Sequence, residues 1–155
     1  MRKDLKICCI SSHGGHLHEL ESALKNVNQS NMYWVTYKTK HTQMLMNDKG
    51  RKHYFIIDPV TSKPLFLINA IQSLVHLIIE RPDVVISTGA GMAFPTIYFA
   101  KKLFGKRIIF IESAAAVLSP SKTGKWVYPI SDLFLVQWKE LLNEFPNAIY
   151  TGGLL

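Results

Sequence analysis

The chain has 155 residues and a formal charge of +7, with 48% hydrophobic and 19% charged residues. That balance excludes a disordered or fibrous protein and fits a single globular domain, 1–155, large enough to bury an ordinary core. The positive charge admits nucleic acid, an anionic membrane surface or a phosphorylated ligand as partner. Nucleic acid is not expected, because the basic residues form no dense stripe with interleaved aromatics.

From Met1 to Lys6 the chain leads into an apolar run too short for a signal peptide or a membrane span, so export is not expected. Leu5–Ile10 reads as a central strand buried on both faces. Its adjacent Cys8 and Cys9 would point to opposite faces, so a disulfide between them is not expected and buried, reduced thiols are. No Cys or His spacing of a metal site occurs, so neither metal nor other cofactor is expected.

The loop Ser11-Ser12-His13-Gly14-Gly15-His16 follows that strand. Leu17, Leu20, Leu24 and Val27 then recur at helical spacing. Two glycines at a helix start free backbone N–H groups to face an anion, and the helix end adds partial positive charge. The dinucleotide fingerprint Gly-x-Gly-x-x-Gly is absent. His16 would stand at the carboxyl edge of the sheet, either as a reactive group or as a capping residue, while His13 and His18 read as solvent-facing.

Strands follow at Met32–Tyr37 and Tyr54–Ile57, with a polar helical piece at Thr42–Asp48 between them. Pro64–Glu80 is a helix with proline in its first turn. Asn69, Gln72, Ser73 and His76 sit at i, i+3, i+4 and i+7, one narrow polar stripe. Leu65, Phe66, Leu67, Ile68, Ile71, Leu74, Val75 and Ile78 belong to an apolar remainder wider than one sheet face can cover. Either the helix is buried between the sheet and a neighbouring helix, or one side dips into a bilayer interface. In the second case Lys38, Lys40, Arg51, Lys52, Lys63 and Arg81 could attract anionic headgroups.

Asp83–Ser87 and Arg107–Glu112 are the clearest buried strands, joined by a helix from Met92 to Phe104 that ends at Gly105. Ser87-Thr88-Gly89-Ala90-Gly91 makes a second glycine turn, and paired with the first loop it outlines a cleft. Glu112 falls on the same edge, as a hydrogen-bonding or basic carboxylate or as a solvent-exposed one. Ser121-Lys122-Thr123-Gly124-Lys125-Trp126 is no Walker loop, since Trp replaces Ser or Thr after the lysine. Leu133–Gln137 and Ala148–Tyr150 bring the total to about seven strands in an α/β, Rossmann-like parallel sheet with helices on both faces.

These motifs together carry a family resemblance. Ser12-His13-Gly14-Gly15-His16-Leu17, Val85-Ile86-Ser87-Thr88-Gly89-Ala90-Gly91, Ile111-Glu112-Ser113, Thr123-Gly124-Lys125 and Asp132-Leu133-Phe134-Leu135-Val136-Gln137-Trp138 resemble the Alg14-like proteins. Within that group the chain is most similar to the bacterial capsule and exopolysaccharide glycosyltransferase enhancers. The resemblance implies the N-terminal, acceptor-side lobe of a GT-B glycosyltransferase, split over two chains. A separate donor-binding subunit would hold the UDP-sugar, and this chain would present a polyprenyl-diphosphate-linked acceptor at the cytoplasmic face of the cell membrane, attached peripherally or monotopically.

The resemblance further implies His16 or Glu112 as the base, with Ser12, Gly14, Gly15, Gly89 and Gly91 near the acceptor and its phosphates. Thr123, Lys125, Gln137 and Trp138 would belong to the partner interface. Two other readings compete with this one: a non-catalytic adaptor that recruits and stabilises its partner, and a stand-alone Rossmann nucleotide enzyme. The second lacks an acidic ribose partner after the second strand.

Overall fold

The computed structural model describes residues 5–59 and 62–154; the lead-in 1–4 and the final Leu155 lie outside the described residues. Seven parallel strands form one sheet in the order β3-β2-β1-β4-β5-β6-β7. They are β1 (Ile7–Ser11), β2 (Met32–Thr36), β3 (His53–Phe55), β4 (Val84–Gly89), β5 (Arg107–Ile111), β6 (Leu133–Val136) and β7 (Ile149–Tyr150). The helices are α1 (Gly15–Ala23), α2 (Lys40–Asp48), α3 (Lys63–Glu80), α4 (Phe94–Lys102) and α5 (Lys122–Val127). The α/β class and the doubly wound sheet are as the sequence foretells, with element ends moved by no more than three residues.

The two sheet faces have separate cores. Cys8, Tyr33, Val85 and Phe110 point to the face covered by α3, α4 and α5 through Leu77, Ile97 and Val127. Cys9, Trp34, Ile86 and Ile111 point to the other, covered by α1 and α2 through Leu17, Leu20 and Met46. The neighbouring cysteines do part to opposite faces, both fully buried, and burial pushes the Cys8 thiol up to about 12. Strand order reverses between β1 and β4, the switch point where open α/β sheets leave a crevice beyond their carboxyl ends. There the register slips by one, so that Ser11 pairs with Gly89.

Helix α3 inverts the usual arrangement. Its buried residues are Asn69, Ser73, His76, Leu77 and Glu80, while Phe66, Leu67, Ile68, Ile71, Val75, Ile78 and Ile79 are exposed. The buried stripe is held by hydrogen bonds. Asn69 Nδ2 donates to the Ile57 and Met92 carbonyls. Ser73 Oγ donates to Asn69 Oδ1, and Thr96 Oγ1 donates to Ser73 Oγ. The Thr96 proton is thereby committed, so His76 Nε2 donates to Thr96 and His76 Nδ1 accepts from the Tyr33 hydroxyl. Glu80 receives Lys6, Lys52 and the Tyr54 hydroxyl. Of the two sequence readings of this helix, burial between sheet and neighbour fails, because polar contacts anchor the inner side and the apolar side is left outward. Arg51 also departs from expectation: it stacks on Trp34 and pairs with Glu21 at the opposite sheet face, away from α3.

Candidate functional site

The crevice at the switch point is built from two glycine turns. At the first, Gly14 takes φ 73° and ψ −135°, a conformation that favours glycine, and caps α1 with no side-chain acceptor. The first-turn N–H groups of α1 are therefore not satisfied by a capping side chain, which suits an anion. At the second, Gly89 has φ 109°, and a Cβ there would meet the Phe110 ring at 3.5 Å and His16 Cε1 at 3.6 Å. Beside it Ala90, at φ 76°, holds a backbone conformation that non-glycine residues rarely adopt. Thr88 Oγ1 donates to the His16 carbonyl at 2.6 Å and ties one turn to the other.

The structure thus gathers Ser12, Gly14, Gly15, His16, Gly89 and Gly91 at one edge. Ser12 is buried and its hydroxyl turns to the His13 carbonyl. Gly91 is exposed and opens a short 3-10 turn leading into α4. His13, expected in solvent, is exposed but holds the Tyr37 hydroxyl. The His16 side chain is 31% exposed, whereas its Nδ1 is buried without a hydrogen-bond partner. The open part of the ring is accordingly the Nε2 edge.

Glu112 is engaged within its own chain. It is 1% exposed. Its Oε1 accepts from the Ser113 N–H at 2.9 Å, and its Oε2 accepts from the Ser121 N–H and hydroxyl at 3.3 and 3.1 Å. Ser121 caps α5, so the carboxylate sits at a helix start and organises the loop after β5. The solvent-exposed reading of Glu112 is overturned by this burial, and the carboxylate accepts from a hydroxyl of its own chain, that of Ser121. The interface candidates also divide. Thr123 is buried, and Gln137, 2% exposed, donates to the Glu112 carbonyl and accepts from Leu154 N. Both lie inside the domain, whereas Lys125 and Trp138 remain exposed.

One carboxylate escaped the sequence reading. Glu19 is 3% exposed; its Oε1 accepts from Ala114 N at 2.9 Å and Ser113 Oγ at 3.3 Å. The available signal was its spacing, three residues after His16 and hence on the same side of α1. Among the described residues no three His, Cys, Asp or Glu side chains gather as metal ligands.

Residues 7–154 match the family model described as oligosaccharide biosynthesis protein Alg14 like. The chain belongs to the Alg14 family. It is 30% identical to the UDP-N-acetylglucosamine transferase subunit ALG14 of Debaryomyces hansenii, over 92% of this chain and 73% of that protein. With the Homo sapiens subunit of the same name it shares 31% identity over 53% of this chain and 39% of the relative. Among solved structures, Acinetobacter baumannii MurG superposes with a TM-score of 0.76 at 16% identity, over 95% of this chain and 45% of that one. A Rickettsia bellii UDP-N-acetylglucosamine 2-epimerase gives 0.73 at 14%, over 97% and 45%. At such identities the superpositions speak for the fold alone: this Alg14-family chain has the architecture of about half of each enzyme.

Proposed function

We propose that this chain is the acceptor-side, membrane-associated subunit of a two-component glycosyltransferase. In this reading it presents a polyprenyl-diphosphate-linked acceptor to a partner that binds a UDP-sugar, in bacterial capsular or exopolysaccharide synthesis at the cytoplasmic face of the membrane. The observation that carries it is a pairing on one polypeptide. A two-glycine-turn crevice lies at the sheet's carboxyl edge, and a helix on the same domain turns its apolar side outward. The family relatives, named as transferase subunits, support it.

The chemistry follows from the positions. The α1 N-terminus with Gly14 and Gly15 receives the acceptor's diphosphate. His16 Nε2 takes the proton of the acceptor hydroxyl as its oxygen bonds to the sugar C1. The C1–O bond to UDP breaks, and its electron pair leaves with the nucleotide held by the partner. Membrane attachment uses Phe66, Leu67, Ile68, Ile71, Val75 and Ile78, with half-buried Leu65 and Leu74 at the flanks and Lys63 and Arg81 at the two ends of α3.

The adaptor reading is favoured by one specific observation, the structural engagement of Glu112. Reconstituted transfer to a lipid-linked acceptor, with each chain and with both, decides between them. The expected result is activity with both chains only, reduced about a hundredfold or more by His16→Ala. Turnover by this chain alone refutes the split enzyme, and a full rate with His16→Ala establishes the adaptor.

A further inference from the structure

Three buried polar atoms near the crevice lack hydrogen-bond partners, Ser11 Oγ, His16 Nδ1 and Glu19 Oε2, and the last two lie 3.9 Å apart. Unpaired buried polar atoms are disfavoured, and two of opposite character placed face to face imply a pair that closes when the site is occupied. Catalytic hydrogen bonds are commonly long in a free enzyme and tighten with substrate.

We propose that Glu19 is the positioning residue of this site, acting through His16. Its Oε1 is pinned by Ser113 Oγ and Ala114 N from the loop after β5, which aims Oε2 at Nδ1. The carboxylate then holds the proton on Nδ1, leaves Nε2 as the free basic nitrogen toward the crevice, and stabilises the imidazolium once Nε2 has taken the acceptor's proton. No proton passes to Glu19. The logic is that of a carboxylate-oriented histidine base. Two uncharged residues of β4 adjoin His16: Thr88, bonded to its carbonyl, and Gly89, beside its ring. Glu112, the other carboxylate of this edge, is turned to Ser113 and Ser121. This inference rests on the proposed role of His16 as base.

Glu19→Gln tests it, because the amide oxygen can still accept from Ala114 N and Ser113 Oγ while the charge is gone. In the reconstituted two-chain enzyme the plateau of the kcat profile is expected to drop at least tenfold with little change in acceptor KM, and its acidic limb to move to lower pH because the imidazolium loses its counter-charge. Glu19→Asp, which keeps the charge one methylene further back, should fall between. Ser113→Ala removes a bond to the same carboxylate without touching its charge, and should leave the pH profile in place. A plateau and pH profile unchanged in Glu19→Gln, or moved equally by Ser113→Ala, overturns the inference and leaves Glu19 as a loop anchor. A full rate with His16→Ala instead sinks the reading beneath it.

Discussion

A methyl group on Gly124 would stand 2.0 Å from Glu112 Oε2, inside any permitted contact, so the two residues fit only as a pair. Gly124→Ala must push the carboxylate off the Ser121 cap or shift α5. Either outcome strands a buried charge, at a cost of roughly 2–4 kcal/mol. Thermal denaturation should show a loss of about 5–15 °C for a domain of this size. Glu112→Ala should destabilise to a similar extent, because Ser113 N and Ser121 N lose their acceptor. A catalytic base would behave otherwise, losing rate while keeping the melting temperature. The sequence displayed Glu112 because it ends an apolar run at the sheet's functional edge, yet the same position serves a helix cap. Position along a strand fixes which edge a side chain occupies but not which way it turns. Glu19 was hidden for the converse reason: a charged residue in a helix reads as solvated surface until the loop that covers it is placed.

Helix α3 carries the element-scale consequences. His76 is buried under it, and desolvation lowers its pKa to about 4, only partly opposed by Glu80. The network agrees, since Nδ1 accepts from Tyr33 and has no room for a proton. The native state therefore holds His76 neutral while the unfolded chain protonates near 6.5. Stability from this group is complete above pH 6.5 and declines as pH falls from 6.5 toward 4, by on the order of 3 kcal/mol. Glu80 adds a second loss at lower pH. Burial works against its ionisation, but Lys52, Lys6 and Tyr54 hold its pKa down at about 2, so its contribution is present above 4.5 and fades below. Denaturant midpoints should thus fall between pH 7.5 and 5, and His76→Gln, though weaker throughout, should flatten that slope. An equally steep slope in the variant would place the acid sensitivity elsewhere.

The outer side of the same helix gives an independent measurement. Ile71→Glu or Ile78→Glu alters a side chain more than half exposed, so melting should hardly change. Binding to anionic vesicles in co-sedimentation should nevertheless fall about tenfold or more, since each change removes one apolar contact and adds a repelled charge. Unaltered vesicle binding would take α3 off the membrane. The amphipathic pattern was plain in the sequence, but not which stripe faced inward. That choice is made by Tyr33, Tyr54, Thr96, Lys6 and Lys52, partners from four other segments that no local periodicity reveals.

At the scale of the molecule, legibility follows burial on both faces. β1, β4 and β5 stood out because continuous apolar runs have no other good explanation. The edge strands β3 and β7, of three and two residues, were found with blurred ends, since an edge needs little apolar sequence. The six-residue α5 went unseen, its glycine being required by Glu112 rather than by a turn. The topology then bears on ligand binding. A crevice between β1 and β4 offers one wall of backbone amides and one imidazole, whereas a well-bound nucleotide-sized ligand has most of its surface enclosed. If the proposed two-chain reading holds, calorimetry with UDP should detect no binding to this chain alone at millimolar ligand, and clear binding once the proposed donor-binding partner is added. Trp138 lies at the rim, exposed, with its indole N–H on the Ala114 carbonyl, next to the residue that Glu19 holds. Trp138→Ala should weaken assembly with the partner about tenfold, while Trp138→Phe, which loses the N–H but keeps an aromatic face, should weaken it less. Tight nucleotide binding by the single chain would mean that the crevice encloses its ligand unaided, and the two-chain reading would fall with it.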